Sequence, residues 1–332
     1  MSTDTLSDVL RAVRLTGAVF IDVDVDIGVP WASWAPASKH LIPLIMPDAQ
    51  HLMSYHLVMD GACFAIQKNQ EPIKLEAGDL IVFPHGDGHT MCTDASMRAP
   101  GPFDLDTIDL TKPRPWKIVS GDGRDRLKLF CGFLGCDVRP FNPLLAALPQ
   151  RIHCSNRNPA CNERLNHFYR MAVAESNGQR IGGESVIAKL SELLFIELVR
   201  MYLESLPREQ TGWLAGLRDR HVGRALALLH AEPARPWTLD DLSGEVGLSR
   251  SALADRFTGF VGMPPMQYLA KWRMQVASGL LTSGQGNIAR IAVDVGYDSE
   301  AAFSRAFKKI VGMPPAAWRK NQSTSQIRRE IA

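Results

Sequence analysis

A five-residue segment, Val-Gly-Met-Pro-Pro, occurs twice near the C-terminal end of this 332-residue chain, at 261–265 and at 311–315. Each copy follows a phenylalanine by four residues, at Phe257 and Phe307, and lies downstream of a Val-Gly pair. Glycine at such points ends a helix, and proline fits the first turn of the next one. The sequence therefore predicts two helix-turn-helix units in tandem.

The first unit has residues suited to the ends of its helices. Thr238 is placed to cap the first helix, with Asp241 in the capping-box position, and Ser249 is placed to cap the second. The outward face of that second helix is predicted to consist of Arg250, Ser251, Ala254, Asp255 and Thr258. Small and polar side chains on such a face can approach base edges closely, whereas a merely solvated face is the alternative interpretation.

The second unit repeats this pattern, with Asp298 or Ser299 as the cap of its second helix. The outward face is predicted to consist of Glu300, Ala301, Ser304, Arg305 and Lys308. Arg305 can reach guanine or a phosphate, and Asp255 holds the same place in the first unit. A carboxylate at that place is repelled by phosphates, yet it can accept a hydrogen bond from cytosine N4.

Between the two units, 266–281 is predicted to form one continuous helix. At ~1.5 Å per residue it spans roughly 24 Å. A stiff spacer of this size can hold two recognition helices in successive major grooves, which lie ~34 Å apart along DNA.

Charge is distributed unevenly along the chain. From Gly212 onward there are 16 Lys and Arg against 10 Asp and Glu, whereas the residues before it hold 21 and 25. The basic part is the part with the repeated units, as binding to phosphates requires.

The two repeated units and the residues around them, 218–320, resemble the DNA-binding domain of the AraC/XylS family of transcriptional regulators. The matching segments are 237–239, 247–251, 291–292, 295–297, 303–305, 307–308 and 312–315. The resemblance implies sequence-specific binding to double-stranded DNA and control of transcription, with RNA polymerase as a partner.

Short apolar runs broken by turn residues extend from Val19 to about Phe141 and predict an antiparallel β-barrel or jelly roll. Within them, Gly78, Pro84, Gly86 and His89 have the spacing of the second cupin motif. The 56–58 and 131–133 segments also resemble chains in which a cupin domain precedes an AraC-type pair. The resemblance implies a domain that senses a small-molecule, metal or redox effector.

A metal site is one expectation for this domain. His56 holds a surviving position of the first cupin motif, whereas Ser54 replaces the other histidine. Since a metal needs three or four convergent ligands, we expect His56 and His89 to share a cavity with Cys131 as the favoured third ligand of zinc. The other candidate ligands are Cys63, His51 and His85. The alternative is that the histidines line an organic-ligand pocket or pack in the core.

A metal-dependent cupin enzyme fused to a DNA-binding domain is the alternative to a regulator. The set of three histidines and one glutamate that would support it is incomplete, so we predict no enzymatic activity. The six cysteines, at 63, 92, 131, 136, 154 and 161, are expected to be thiols or ligands in a reducing compartment. A redox switch through them is a further alternative.

The predicted fold class is α+β, with a cupin-like sensing domain over 1–142 and a tandem helix-turn-helix domain over 212–320. Between them, 143–211 is predicted to be a helical connector, and 321–332 a disordered tail. In the connector, Glu184–Leu206 is apolar on most faces, which is typical of a buried helix. The family resemblance implies that this helix pairs with its copy in a homodimer; packing against a predicted helix over 162–175 is the alternative.

A cytoplasmic location without membrane contact is also expected. No apolar run reaches the ~20 residues that span a bilayer. The first ten residues carry Asp4 and Asp8 and lack the basic start and apolar middle of a signal peptide.

Overall fold

The computed structural model describes residues 4–13, 15–28, 30–47, 49–97, 116–121, 125–138, 140–158, 165, 167–168, 170–171, 174–175, 181–207, 209–284 and 286–321. Half of the predicted helix over 162–175 lies outside these residues, as does all of the predicted tail over 321–332 except its first residue.

The chain forms two compact units. The first, here the β unit, comprises Leu15–Cys136 and Leu148–Ser205; the second, here the helical unit, comprises Met1–Arg14, Asp137–Ala147 and Leu206–Ala332. The division differs from the predicted boundaries, because the predicted connector is shared between the two units instead of standing apart.

The strands are β1 (Leu15–Asp26), β2 (Ala32–Ala35), β3 (His51–Asp60), β4 (Ala62–Gln67), β5 (Ile73–Glu76), β6 (Leu80–Phe83), β7 (His89–Cys92), β8 (Trp116–Ser120), β9 (Arg126–Cys136) and β10 (Ile152–Cys154). The helices are α1 (Thr5–Val13), α2 (Ser38–Ile45), α3 (Pro143–Ala147), α4 (Gly183–Ser205), α5 (Trp213–Arg218), α6 (Arg220–Ala231), α7 (Leu239–Val246), α8 (Arg250–Val261), α9 (Pro265–Thr282), α10 (Ile288–Asp294) and α11 (Glu300–Val311).

The strands of the β unit form two sheets, in the orders β10-β6-β3-β9-β1-β8 and β2-β7-β4-β5. This confirms the predicted β-rich, cupin-like fold with two differences. The sheets do not close into one barrel, and β8 pairs parallel with β1, whereas the other pairs are antiparallel. A hairpin cannot join parallel strands, so β1 and β8 need a crossover connection, which the alternation of apolar runs does not reveal.

The core of the β unit contains side chains from both sheets. Phe83 and Leu127 of the larger sheet and Leu75 of the smaller sheet are fully buried in one cluster. In β4, Cys63 and Ala65 are buried while their neighbours are half-buried, which is the period-two pattern of a strand with one face on the core.

Helix α4 belongs to the β unit. Its predicted span agrees with the structure, and its Ser191 Oγ lies 2.9 Å from the hydroxyl of Tyr55 on β3. One face stays open to solvent, since Leu193 is 51% exposed and Val186 is 38% exposed.

The helical unit confirms the predicted tandem architecture. Thr238 and Asp241 form the predicted capping box, and the glycines that end α7, α8 and α11 adopt left-handed conformations, with φ of 72° at Gly247, 77° at Gly262 and 88° at Gly312. Helix α9 is the predicted spacer and contains 18 residues, so its length is about 27 Å.

Gln275 of α9 joins the spacer to two distant segments of the chain. Its side chain is buried; its Oε1 accepts from the Phe141 N–H at 2.9 Å, and its Nε2 donates to the Ala12 carbonyl at 2.8 Å. The described parts of 1–14 and 137–147 therefore belong with the C-terminal helices, which the sequence pattern did not predict.

The described cysteines are not all in the same chemical state. Cys63, Cys92, Cys131 and Cys136 are buried thiols, but Cys154 is disulfide-bonded. The expectation of thiols or ligands throughout is wrong for Cys154, because it was based on the compartment and not on which sulfurs the fold brings together.

Among the described helices, none is both long and apolar enough to cross a bilayer.

Candidate nucleic-acid interface and buried histidine pair

Helices α8 and α11 present equivalent faces because each begins at a serine cap and buries a phenylalanine at the same place. Ser249 accepts from the Ala252 N–H at 3.3 Å, and Ser299 accepts from the Ala302 N–H at 3.2 Å. Phe257 of α8 and Phe307 of α11 are fully buried on the inner faces of these helices. The side chains on the opposite faces therefore point away from the core of each unit.

The predicted contact residues lie on those outward faces. Ala254 and Ser304 are half-buried. The exposed members are Arg250, Ser251, Asp255, Thr258, Glu300, Ala301, Arg305 and Lys308. Eight of the ten predicted residues are therefore exposed to a partner and two are partly exposed, while the contacts with DNA themselves stay predictions.

The basic residues of α8 are held in ion pairs. Arg250 Nε lies 3.1 Å from Asp240 Oδ1. Arg256 donates from Nε to both carboxylate oxygens of Asp219, at 3.0 and 3.1 Å, and this contact holds the pKa of Asp219 below its usual value. Arg256 is not among the predicted contact residues, because it lies beside the predicted face rather than on it.

The basic residues of α11 differ in this respect. Arg305, Lys308 and Lys309 are exposed, and within the described part of the chain no ion pair involves them. Of the two helices, α11 therefore carries the exposed positive charge that no described ion pair engages.

In the β unit, three predicted residues meet in the core. His56 Nε2 lies 2.6 Å from His89 Nε2, and His56 Nδ1 lies 2.9 Å from Cys131 Sγ. His89 Nδ1 lies 3.0 Å from the carbonyl oxygen of Asp87. The side chains of all three predicted residues are buried.

These contacts form a chain of hydrogen bonds with one direction. Because a carbonyl only accepts, His89 Nδ1 carries the hydrogen and donates to Asp87, which leaves His89 Nε2 to accept from His56 Nε2–H. His56 Nδ1 is then free to accept from the thiol of Cys131. Burial raises the pKa of this thiol well above its usual value, so the sulfur keeps its proton.

Both rings are neutral in this arrangement. Burial lowers the pKa of His89 to about 4. Burial, together with the neighbouring His89, lowers the pKa of His56 well below its usual value. Every ring nitrogen of the pair has a partner without a proton being added.

The predicted three-ligand zinc site does not fit this geometry. Cys131 faces one nitrogen of His56 and His89 faces the other, so the three side chains as placed do not converge on one point. Among the described residues, no group of three His, Cys, Asp or Glu is arranged to hold a metal ion. His51 and His85 bond instead to the carbonyls of Pro84 and Leu148. Sequence cannot tell which ring nitrogen a neighbour will face.

Comparison with known proteins covers both units. The family described as Cupin matches residues 4–204, and a family described as a helix-turn-helix domain matches 242–321. An AraC-like transcription regulator from Streptomyces lividans is 33% identical over 276 residues, which is 82% of this chain and 88% of that protein. The HTH-type transcriptional regulator AlkR from Acinetobacter baylyi is 29% identical over 328 residues, covering 96% of this chain and 99% of the relative.

Among solved structures, the C-terminal domain of AraT, a response regulator from Geobacillus stearothermophilus, is 31% identical, with a TM-score of 0.31. The match covers 31% of this chain and 86% of that one. From the two family matches and the full-length relatives, the chain belongs to the AraC-type transcriptional regulators with an N-terminal cupin domain and is a sequence-specific DNA-binding protein.

Proposed function

We propose that α11 supplies the main base and phosphate contacts to double-stranded DNA and that α8 supplies weaker ones. The observation that carries this proposal is the difference in ion pairing. Arg305 and Lys308 are exposed without an ion pair in the described part of the chain, whereas Asp240 holds Arg250. An arginine already held by a carboxylate must give up that pair before it can bind a phosphate.

The test compares Arg305→Ala with Arg290→Ala in the full-length chain. Arg290 is an exposed arginine of the same helix-turn-helix unit, but it pairs with Asp294 at 2.9 Å. Arg305→Ala should weaken specific binding by ~1–3 kcal/mol if Arg305 contacts a base. Arg290→Ala should leave it within ~0.5 kcal/mol. Equal operator affinity of Arg305→Ala and the parent chain in a gel-shift titration would remove the support for α11 as the main contact.

We infer that the active form is a homodimer that pairs through α4. Val186, Leu193 and Ile196 are spaced by seven and three residues and therefore lie on one helix face. Val186 and Leu193 are exposed and Ile196 is half-buried. A second copy of the same face would cover these apolar side chains.

We also propose that the cupin domain senses an organic effector and carries out no reaction. The support is chemical. The buried histidines are neutral and already have partners, so they offer no open metal position and no free base. As a transcription regulator, the protein would act on RNA polymerase in the cytoplasm, where the promoters and the polymerase are.

A further inference from the structure

A cleft of about 460 Å³ lies in the β unit between β10 and the C-terminal half of α4. Strand β10 and the turn after it form one wall, and the last two turns of α4 form the other. This volume falls within the range of roughly 300–1,000 Å³ that is usual for small-molecule sites. The cleft is separate from the His56–His89 pair, whose residues do not line it.

The α4 wall of this cleft is largely apolar. Leu198 and Met201 are buried, and the ring of Tyr202 is half-buried. Across from them, Ile152 of β10 is also buried. An inorganic ion gains nothing from such a wall, whereas the carbon skeleton of an organic molecule is removed from water against it.

Two hydrogen-bond donors stand beside that wall. Arg151 Nη1 donates to the Glu71 carbonyl at 2.7 Å. Within the described residues, no bond engages the remaining N–H groups of its guanidinium or the hydroxyl of Tyr202. Burial raises the pKa of Tyr202, so its phenol keeps the proton that it donates.

The acidic and imidazole groups of the lining limit the charge that a ligand can carry. His153 is engaged by Asp79, at 3.3 Å, so it is not a free donor. Glu204 is an exposed carboxylate of the same lining, so the lining as a whole carries little net positive charge. Arg151 is the one permanent cation among the residues that line the cleft, which suits a ligand with a single negative charge.

We propose that this cleft binds an organic monocarboxylate, with its carboxylate on Arg151 and Tyr202 and its apolar part on Leu198 and Met201. In the same account this ligand is the effector of the proposed regulator, and that part of the inference rests on the proposed function. Helix α4 ends at Ser205, and the helical unit resumes at Leu206. The bound molecule would therefore contact the last turns before the chain enters the DNA-binding part.

The binding test uses isothermal titration calorimetry on the full-length chain. The probes are octanoate and benzoate, with octanedioate, octylammonium and inorganic phosphate as comparisons. At least one monocarboxylate should bind about tenfold more tightly than each comparison probe, because the comparisons lack either the single charge, its sign or the apolar part. No measurable binding of either monocarboxylate, or equal binding of octylammonium or phosphate, overturns the proposal.

Variants locate the site. Arg151→Gln should weaken binding of the monocarboxylate about tenfold or more, and Tyr202→Phe about two- to tenfold. Arg157→Gln is the matched control, because Arg157 pairs with Glu76 and does not line the cleft. If Arg151→Gln does not fold, Tyr202→Phe carries the test, since it removes only a hydroxyl. The site is overturned if Tyr202→Phe binds the monocarboxylate with wild-type affinity and Arg151→Gln either does the same or does not fold.

The effector role has its own readout. A monocarboxylate concentration near the dissociation constant of the wild-type chain should change the operator affinity of that chain and should change that of Arg151→Gln much less. Carboxylate binding without any change in operator affinity supports the site and overturns its role as the effector site. Absence of specific DNA binding would instead count against the proposed function and leave the calorimetric result standing.

Discussion

Asp255 of α8 and Arg305 of α11 stand at the same place in the two helix-turn-helix units, each two residues before a fully buried phenylalanine, and they carry opposite charges. Both side chains are exposed. The two recognition helices are therefore alike in fold and unlike in electrostatic potential, so the two halves of a DNA site should not contribute equally.

Replacing Asp255 by Asn should raise affinity for nonspecific DNA at low salt, because it removes repulsion between a carboxylate and the phosphates. The expected gain is small, ~0.2–1 kcal/mol, as for other exposed charges. Glu209→Gln, which removes an exposed carboxylate far from α8 in sequence, is the control. Fluorescence anisotropy at several salt concentrations measures both. Lower or unchanged affinity of Asp255→Asn would assign Asp255 to a cytosine contact or a structural role.

Replacing Leu193 by Glu should convert a dimer into a monomer, because a carboxylate buried in an apolar interface is costly. Leu44→Glu is a matched control, since Leu44 of α2 is also 51% exposed. Sedimentation velocity of the two variants and the parent chain measures the outcome. A monomeric parent chain, or a Leu193→Glu variant that stays dimeric, contradicts pairing through this face.

The stability of the β unit should decrease in mild acid. His89 has a pKa of about 4 in the folded chain against 6.5 as its ordinary value, so protonation favours the unfolded state. The free energy of unfolding is therefore unaffected by His89 above pH 6.5. It decreases as the pH falls towards 4, at up to ~1.4 kcal/mol per pH unit. His89→Gln should show a shallower decrease in denaturant titrations between pH 7 and 5 than the parent chain.

The control for that experiment is His40→Gln, which removes an exposed histidine of α2. This variant should keep the pH dependence of the parent chain. If His89→Gln and His40→Gln have the same slope, the buried pair does not account for the acid sensitivity.

Replacing Gln275 by Leu should lower the free energy of unfolding of the helical unit by ~1–3 kcal/mol. The reason is that the Phe141 N–H and the Ala12 carbonyl would each lose a bond from a buried side chain. Gln275→Glu keeps the shape and the oxygen that accepts from Phe141, but it replaces the Nε2 donor by a second oxygen, so it should retain the bond from Phe141 and lose the donation to Ala12. Equal stability of Gln275→Leu and the parent chain would mean that these two bonds add little.

The repeated segments predicted the helical unit in detail because each signal is local. Thr238, Ser249 and Gly247 act on the helix ends next to them, so their roles follow from neighbouring residues. The bonds of Gln275 join positions more than 130 residues apart, and no local pattern specifies such a partner. The same limit applies to Cys131: motif positions predicted that it lies near His56, but only the structure shows which ring nitrogen it faces.

The proposed function requires that this chain bind a specific DNA sequence through two unequal recognition helices. The decisive experiment is selection of bound duplexes from a random pool by the full-length chain, repeated with Arg305→Ala. The selected duplexes should share two contact segments about 10 base pairs apart, centre to centre. Arg305→Ala should lose base preference within one segment only. An unselected pool would show that the chain recognises no base sequence, and an identical motif for both proteins would show that Arg305 contacts no base.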